Sequence, residues 1–208
     1  PIPGSNLPSV IGWRTIDDTN KMIEIAQTKK RAVVIGGGLL GLECARGLLD
    51  QGMEVTVLHL ADWLMEMQLD RKAGDMLKAD LEKQGMKIEL QANSKEIIGD
   101  KDVEAIKLAD GRVIETDLVV MAVGIRPYTE VAKDSGLDVN RGIVVNDYMQ
   151  TSDSHIYAVG ECAEHDGKVY GLVAPLYEQG KVLADYLTGK ETKGYKGSTT
   201  FTSLKVSG

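Results

Sequence analysis

The run Ala32 to Ile35 is apolar and mostly β-branched. Such a run predicts a strand covered on both faces, as in a parallel sheet. It leads directly into Gly36-Gly37-Gly38-Leu39-Leu40-Gly41. A helical pattern continues to about Gln51, where Gly52 stops it, and Glu54 to Leu58 reads as a second buried strand. Strand, glycine turn, helix and strand together take ~30 residues, the length of a βαβ crossover.

The remaining pattern fills in around this unit. Residues 15–28 predict a helix, with Asp17 or Asp18 near its start and Met22, Ile25 and Ala26 at helical spacing. Lys29, Lys30 and Arg31 read as a solvated basic turn. Residues 70–84 predict another helix, with Ala73, Met76, Leu77 and Leu81 on one face and Gly85 ending it. Short strands are expected at 86–91, 94–99 and 103–108, with a hairpin turn at Asp110-Gly111. Leu118 to Val123 is a further buried strand. Beyond Gly124 the texture changes to short segments with many turns. A strand is expected near His155 to Val159, and a last helix from Pro175 to Leu187. Pro1, Pro3, Gly4 and Pro8 discourage regular structure at the start, which reads as a linker.

Composition narrows the partners. The 208 residues are 43% hydrophobic and 26% charged, as in an ordinary globular protein. The formal net charge of -7 disfavours a nucleic-acid partner, because nothing neutralises a phosphate backbone. One dinucleotide remains compatible, since local backbone dipoles can hold phosphate within an acidic protein. No apolar run is long enough for a bilayer, and the first residues do not form a signal peptide, so a cytoplasmic protein is expected.

The glycine turn carries the chemistry. In a dinucleotide fold the first glycine makes the tight turn, the second lets pyrophosphate approach the backbone, and the third seats the helix on the strand. Gly36, Gly38 and Gly41 occupy those places, and Ala45 is small one turn later. Amides at the helix start, including those of Gly37, Leu39 and Leu40, face the phosphates with the positive end of the helix dipole. NAD sites usually close the second strand with an acid for the adenosine ribose. Here His59 stands at that point. It is read either as a contact to the ribose or a 2′-phosphate, or as an exposed strand end. Arginines suited to a 2′-phosphate are also missing, which favours NAD. Glu43, early in the first helix, either complements the helix dipole or lines the nicotinamide end of the site.

The two cysteines, Cys44 and Cys162, form no close pair. Cys44 is expected to be a buried small apolar group. Cys162 lies three residues before His165, but one thiol and one imidazole do not complete a metal shell, so no metal site is expected.

Three blocks, Val-Ile-Gly-Gly-Gly-Leu-Leu-Gly-Leu-Glu at 34–43, Met-Ala-Val-Gly-Ile-Arg-Pro at 121–127 and Ile-Tyr-Ala-Val-Gly-Glu-Cys at 156–162, resemble the FAD- and NAD-dependent pyridine-nucleotide oxidoreductases. Stretches at 65–70, 141–145, 170–176 and 204–208 look like the large subunits of NAD(P)H-dependent assimilatory nitrite reductases. The resemblance covers essentially the whole chain. It implies an α/β fold: a Rossmann-like NAD domain with a parallel sheet, a β-meander, and the second half of a FAD-binding domain. The implied division is a linker and lead-in helix at 1–29 and the NAD(P)H domain at 30–123. The second FAD half follows at 124–190, and 191–208 begins an interface segment.

By the same resemblance, Val123 and Gly124 lie near the nicotinamide, and Gly160 and Glu161 hold the flavin ribitol. Glu161 replaces the family's usual aspartate but keeps its carboxylate. The resemblance also implies that hydride passes from NADH to FAD and on to centres that reduce nitrite to ammonium. No catalytic acid or base is assigned, because the hydride chemistry belongs to the cofactors. Only one glycine-rich turn occurs, so half of the FAD pocket is expected elsewhere. Iron–sulfur and siroheme ligands would need more than two cysteines and are expected in other segments, as downstream redox domains. An incomplete flavin half exposes apolar surface, so homo-oligomers are expected. A rubredoxin or ferredoxin reductase of the same superfamily is the alternative. A nicotinamide-nucleotide-binding module without turnover is another, and the 156–162 block argues against it.

Overall fold

Five short strands make the central sheet of the first unit: β1 (Val10–Gly12), β2 (Arg31–Ile35), β3 (Glu54–Leu58), β4 (Lys87–Glu89) and β8 (Leu118–Met121). They lie in the order β1-β8-β2-β3-β4, and every adjacent pair is parallel. The computed structural model describes residues 2–206; Pro1, Ser207 and Gly208 lie outside them, the last two closing the 204–208 stretch noted above. The first unit comprises residues up to Gly124 together with the segment from Leu204, and the second is Ile125–Ser203.

Alternation along the strands explains the layers. Ala32, Val34, Val55, Val57, Leu118 and Val120 join one buried cluster. Three helices supply much of the other half of that cluster: α1 (Ile16–Ala26), α2 (Leu39–Asp50) and α3 (Arg71–Lys83). Val33, Leu58 and Val119 point to the opposite face and meet Ile97, Val103, Ile106 and Leu108. Those residues belong to or adjoin an antiparallel meander of β5 (Ser94–Ile98), β6 (Ala105–Leu108) and β7 (Val113–Glu115). A strand covered on both sides must be apolar at consecutive positions, which is why β2 reads as an unbroken run.

Local signals set the helix ends. Thr15 and Asp18 form a reciprocal capping box on α1. Asp70 caps α3 by accepting from Ala73 N at 2.8 Å. Gly52 and Gly85, both at positive φ, follow α2 and α3 and let the chain turn into the next strand.

Several expectations change. The leading segment, read as a linker, contains β1, which pairs with β8 at the sheet edge. Met76 is 67% exposed, so the buried side of α3 runs through Gly74 and Leu81, with Leu77 packed partly against the core. Arg31 is no solvated turn residue. It opens β2, and the Asp117 carboxylate accepts from Arg31 N at 2.9 Å, from Arg31 Nε at 3.3 Å and from Arg31 Nη2 at 3.1 Å. Glu115 takes the other guanidinium nitrogen.

This arrangement ties the start of β2 to the start of β8 and has a pH signature. The hydrogen bond from the Arg31 side chain, aided by backbone N–H groups, holds the Asp117 carboxyl below the ordinary aspartate range. A depressed carboxyl contributes stability that is present above its unfolded pKa and is lost as pH falls through the folded value. Asp117→Asn is therefore expected to be less stable than wild type at neutral pH. The gap is expected to narrow below about pH 4, as measured by urea unfolding across that range.

The second unit holds α4 (Glu130–Asp134), β9 (Ile143–Val145), β10 (Ala163–His165), β11 (Lys168–Val169) and α5 (Val173–Leu187). β10 pairs in parallel with β9 and antiparallel with β11. Its core gathers Val145, Met149, Ala158, Ala163, Tyr170 and Tyr195. The strand expected at His155 to Val159 is absent. That stretch makes a single bridge, Gln150 to Tyr157, and the regular strand forms later, at Ala163–His165. No helix among the described residues is long and apolar enough to cross a membrane.

Candidate dinucleotide site

The strand order reverses beside β2. The chain runs outward through β3 and β4 on one side and returns through β8 on the other. Crevices beyond the carboxyl ends of strands at such a switch point are where open α/β sheets bind ligands. A cleft of about 570 Å³ lies there, lined by Gly36, Gly37, Gly38, His59, Val123 and Gly124, among others.

The turn is built by close backbone packing. Gly36 has φ +121°, and a Cβ there would stand 2.3 Å from Ala122 O. A Cβ on Gly41 would stand 1.9 Å from Gly36 O, so the third glycine seats α2 against the turn. Gly38 is the opposite case. It caps α2 with φ -86°, and a Cβ on it would meet no atom within 4 Å. Gly38 lines the cleft, so its backbone is open to close approach there.

The helix start carries no side-chain cap. Leu39 and Leu40 are its first residues, so their N–H groups, with that of Gly38, have no acceptor inside the helix. A diphosphate can receive them, helped by the positive end of the dipole. Leu40 is 46% exposed and Leu39 packs partly against the core, so both serve through backbone. Ser94 also lines the cleft, and its hydroxyl is buried without a hydrogen-bond partner among the described residues. Free amides, vacant space above Gly38 and an orphaned hydroxyl fit a bound nucleotide.

Gly37 is used differently. Its N–H donates to His59 Nδ1 at 3.0 Å, and its carbonyl accepts from Met65 N at 3.0 Å. Both backbone groups are held by the segment after β3, so Gly37 shapes the cleft wall and offers no amide. His59 is buried, at 7% exposure, and does not form an exposed strand end. Its Nε2 lies 2.9 Å from Glu66 Oε2, and Glu66 also lines the cleft. Glu66 and Ser94 are cleft-lining residues that the sequence pattern did not single out.

Glu43 lies away from this cleft. Its Oε1 accepts from Lys205 N at 3.1 Å, and it borders a separate apolar cavity with Trp13, Met22 and Cys44. Cys44 is buried in the core, and burial pushes its thiol up to about 12. In the second unit, Gly160 has φ +102°, and its N–H donates to Oε1 of the fully buried Gln179 at 3.0 Å. Glu161 follows that turn, ahead of β10. Burial raises the Cys162 thiol, which keeps it protonated. His165 pairs with Asp147 at 2.9 Å and meets the Tyr195 ring edge-on at 5.0 Å.

Known proteins share this architecture. Residues 1–180 match the family described as pyridine nucleotide-disulphide oxidoreductase. The chain is 60% identical, over its whole length, to nitrite reductase [NAD(P)H] of Bacillus subtilis, of which it covers 26%. It is 41% identical to the nitrite reductase (NADH) large subunit of Escherichia coli, again over its whole length, covering 25% of that protein. It thus spans about a quarter of these relatives. Among solved structures, the ferredoxin reductase for the CYP199A2 system of Rhodopseudomonas palustris is 32% identical, with a TM-score of 0.87 over 94% of this chain and 50% of that one. Reduced CoADR-RHD of Bacillus anthracis gives a TM-score of 0.91 at 28% identity, over 99% of this chain and 38% of that one. The parallel sheet, the glycine turn at its switch point and these matches agree: the chain belongs to the pyridine nucleotide-disulphide oxidoreductase family.

Proposed function

We propose that this chain is the central segment of a flavin-dependent NAD(P)H oxidoreductase that passes hydride from NADH to FAD for the reduction of nitrite to ammonium. The observation that carries the reading is the cleft at the end of β2, joined to 60% and 41% identity, over the length of this chain, with two nitrite reductases of which it spans about a quarter. Gly36 and Gly41 fix the turn, and the amides of Gly38, Leu39 and Leu40 hold the nucleotide pyrophosphate. Val123 and Gly124 border the nicotinamide end. Gly160 and Glu161, with Gln179 behind them, hold the flavin ribitol. When bound, nicotinamide and flavin supply the hydride chemistry, and the protein contributes orientation and electrostatics. Iron–sulfur and siroheme centres belong to other segments of the whole enzyme, which is a cytoplasmic protein in this reading.

The test is the whole enzyme with NADH and either ferricyanide or nitrite as acceptor. Oxidation of NADH with both is expected. No oxidation of NADH or NADPH with any acceptor contradicts the proposal. Turnover with ferricyanide but not nitrite favours a second reading, a reductase feeding a small carrier. That reading draws on a rubredoxin-NAD(+) reductase of Alcanivorax borkumensis, 32% identical over 93% of this chain and 51% of that protein.

The second unit also leaves Tyr128, Val131, Val173 and Tyr177 exposed, each above 65%. Val173 and Tyr177 stand four residues apart, on one face of α5, and an exposed apolar face favours association. The isolated chain is expected to self-associate in light scattering at micromolar concentration, and a monodisperse monomer contradicts this.

A further inference from the structure

We propose that Glu66 selects NADH over NADPH, its carboxylate accepting the adenosine ribose hydroxyls and repelling a 2′-phosphate. The inference rests on the reading of the cleft as a nicotinamide-dinucleotide site.

A dinucleotide fold places an acid about 20 residues beyond the glycine turn, at the end of the second strand, to hold the ribose. His59 occupies that place and cannot do that work. Its Nδ1 accepts the Gly37 N–H, so Nδ1 carries no proton. The ring proton therefore sits on Nε2 and is donated to Glu66 Oε2 at 2.9 Å. Both ring nitrogens are engaged within the protein, and neither is left for a ribose hydroxyl.

The negative charge has moved one side chain further along. Glu66 is 34% exposed at its side chain and lines the same cleft as Gly38 and His59. Its second oxygen, Oε1, has no protein partner among the described residues and is available to a hydroxyl donor. Met65 fixes the preceding backbone: it has φ 54°, and its N–H donates to Gly37 O. The carboxylate is thus tied to the glycine turn at two points, through His59 and through Met65.

The charge balance completes the argument. No Lys or Arg lines the cleft among the described residues. The nearest basic residue in sequence, Arg71, pairs with Asp62 at 3.0 Å and Asp75 at 3.6 Å. A 2′-phosphate would meet a carboxylate and no cation, an arrangement of like charges that rejects a ligand. A ribose hydroxyl would meet an acceptor.

Glu66→Gln separates these effects. Glutamine keeps an oxygen for the His59 Nε2–H and removes only the charge, so the turn is retained; the thermal midpoint checks this. Calorimetric titrations of the chain with NADH and NADPH, and with ADP-ribose and 2′-phospho-ADP-ribose, read the selectivity. Wild type is expected to prefer NADH. The variant is expected to lose about tenfold or more of that preference, through weaker NADH and stronger NADPH binding. The two fragments should show the same change, since Glu66 acts at the adenosine end. A wild type that prefers NADPH overturns the inference. So does a ratio that moves by less than about twofold, the range of ordinary surface substitutions. A change seen with whole nucleotides but not with the fragments overturns it as well. If wild type binds NADH and only the ratio fails to move, the cleft reading stands without this inference. If a folded wild type binds neither nucleotide, both fall.

Discussion

Gly38→Glu is expected to fold as the wild type does and to bind nicotinamide nucleotide about a hundredfold more weakly. The two halves of that result come from one observation. Gly38 sits at φ -86°, a backbone any residue accepts, and a Cβ there meets nothing within 4 Å. The new side chain therefore strains nothing. A carboxylate beside the first turn of α2 is also favourable to the helix, because it faces the positive end of the dipole. In the proposed site, the space it fills is the space the pyrophosphate takes, and its charge competes for the same amides. Juxtaposed like charges cost several kcal/mol, and each 1.4 kcal/mol or so is a factor of ten in affinity. Thermal unfolding and nucleotide titration together check both halves. Loss of stability with unchanged affinity would be the opposite of the expected pattern.

Gly41→Ala is expected to do the reverse, damaging the fold before the site. The added methyl would lie 1.9 Å from Gly36 O and 2.9 Å from Gly36 C. These are backbone atoms of a turn already committed to φ +121°, and they cannot rotate aside as a side-chain tip would. Relief requires α2 to move away from β2, which loosens the packing of Leu42, Ala45 and Leu48 in the main core. Overpacking of this kind costs about 3 kcal/mol. In a chain of this size that corresponds to a fall of roughly 6–12 °C in melting temperature. Calorimetric melting measures it directly, and a midpoint within about 2 °C of wild type would show that the turn yields more easily than its packing implies.

The two glycines also show what was legible in the sequence. The spacing of Gly36, Gly38 and Gly41 behind a buried strand gave each a separate physical role, and the structure shows the close approaches at Gly36 and Gly41 and the open space at Gly38. The parallel sheet was legible because strands covered on both faces are apolar at consecutive positions, and the meander through its short strands and the Asp110-Gly111 turn between β6 and β7. His59 was placed correctly in chain order but not in environment. Its burial depends on Glu66 and the Gly37 amide, contacts made through an irregular loop with no periodicity to read. Glu43 sits on the first turns of α2, yet its partner, Lys205, is 162 residues away and invisible to any local pattern.

The second unit was least legible because its strands are only two or three residues long and β10, to which the other two pair, is polar. Glu164 is buried in β10 with its carboxylate accepting from Gly142 N at 2.9 Å, and His165 is buried against Asp147. Hydropathy reads such residues as loop. The apolar run at Ile156 to Val159 drew the strand assignment there, although that stretch makes only one bridge. β1 was hidden by the prolines around it, and its three residues owe their strand conformation to the edge of β8.

The central claim is that the cleft beyond β2 is a nicotinamide-dinucleotide site. Calorimetric titration of the purified, folded chain with NADH tests it most directly. Saturable binding of one NADH per chain, lost in Gly38→Glu, is the predicted result. A folded chain that takes up neither NADH nor NADPH would contradict it.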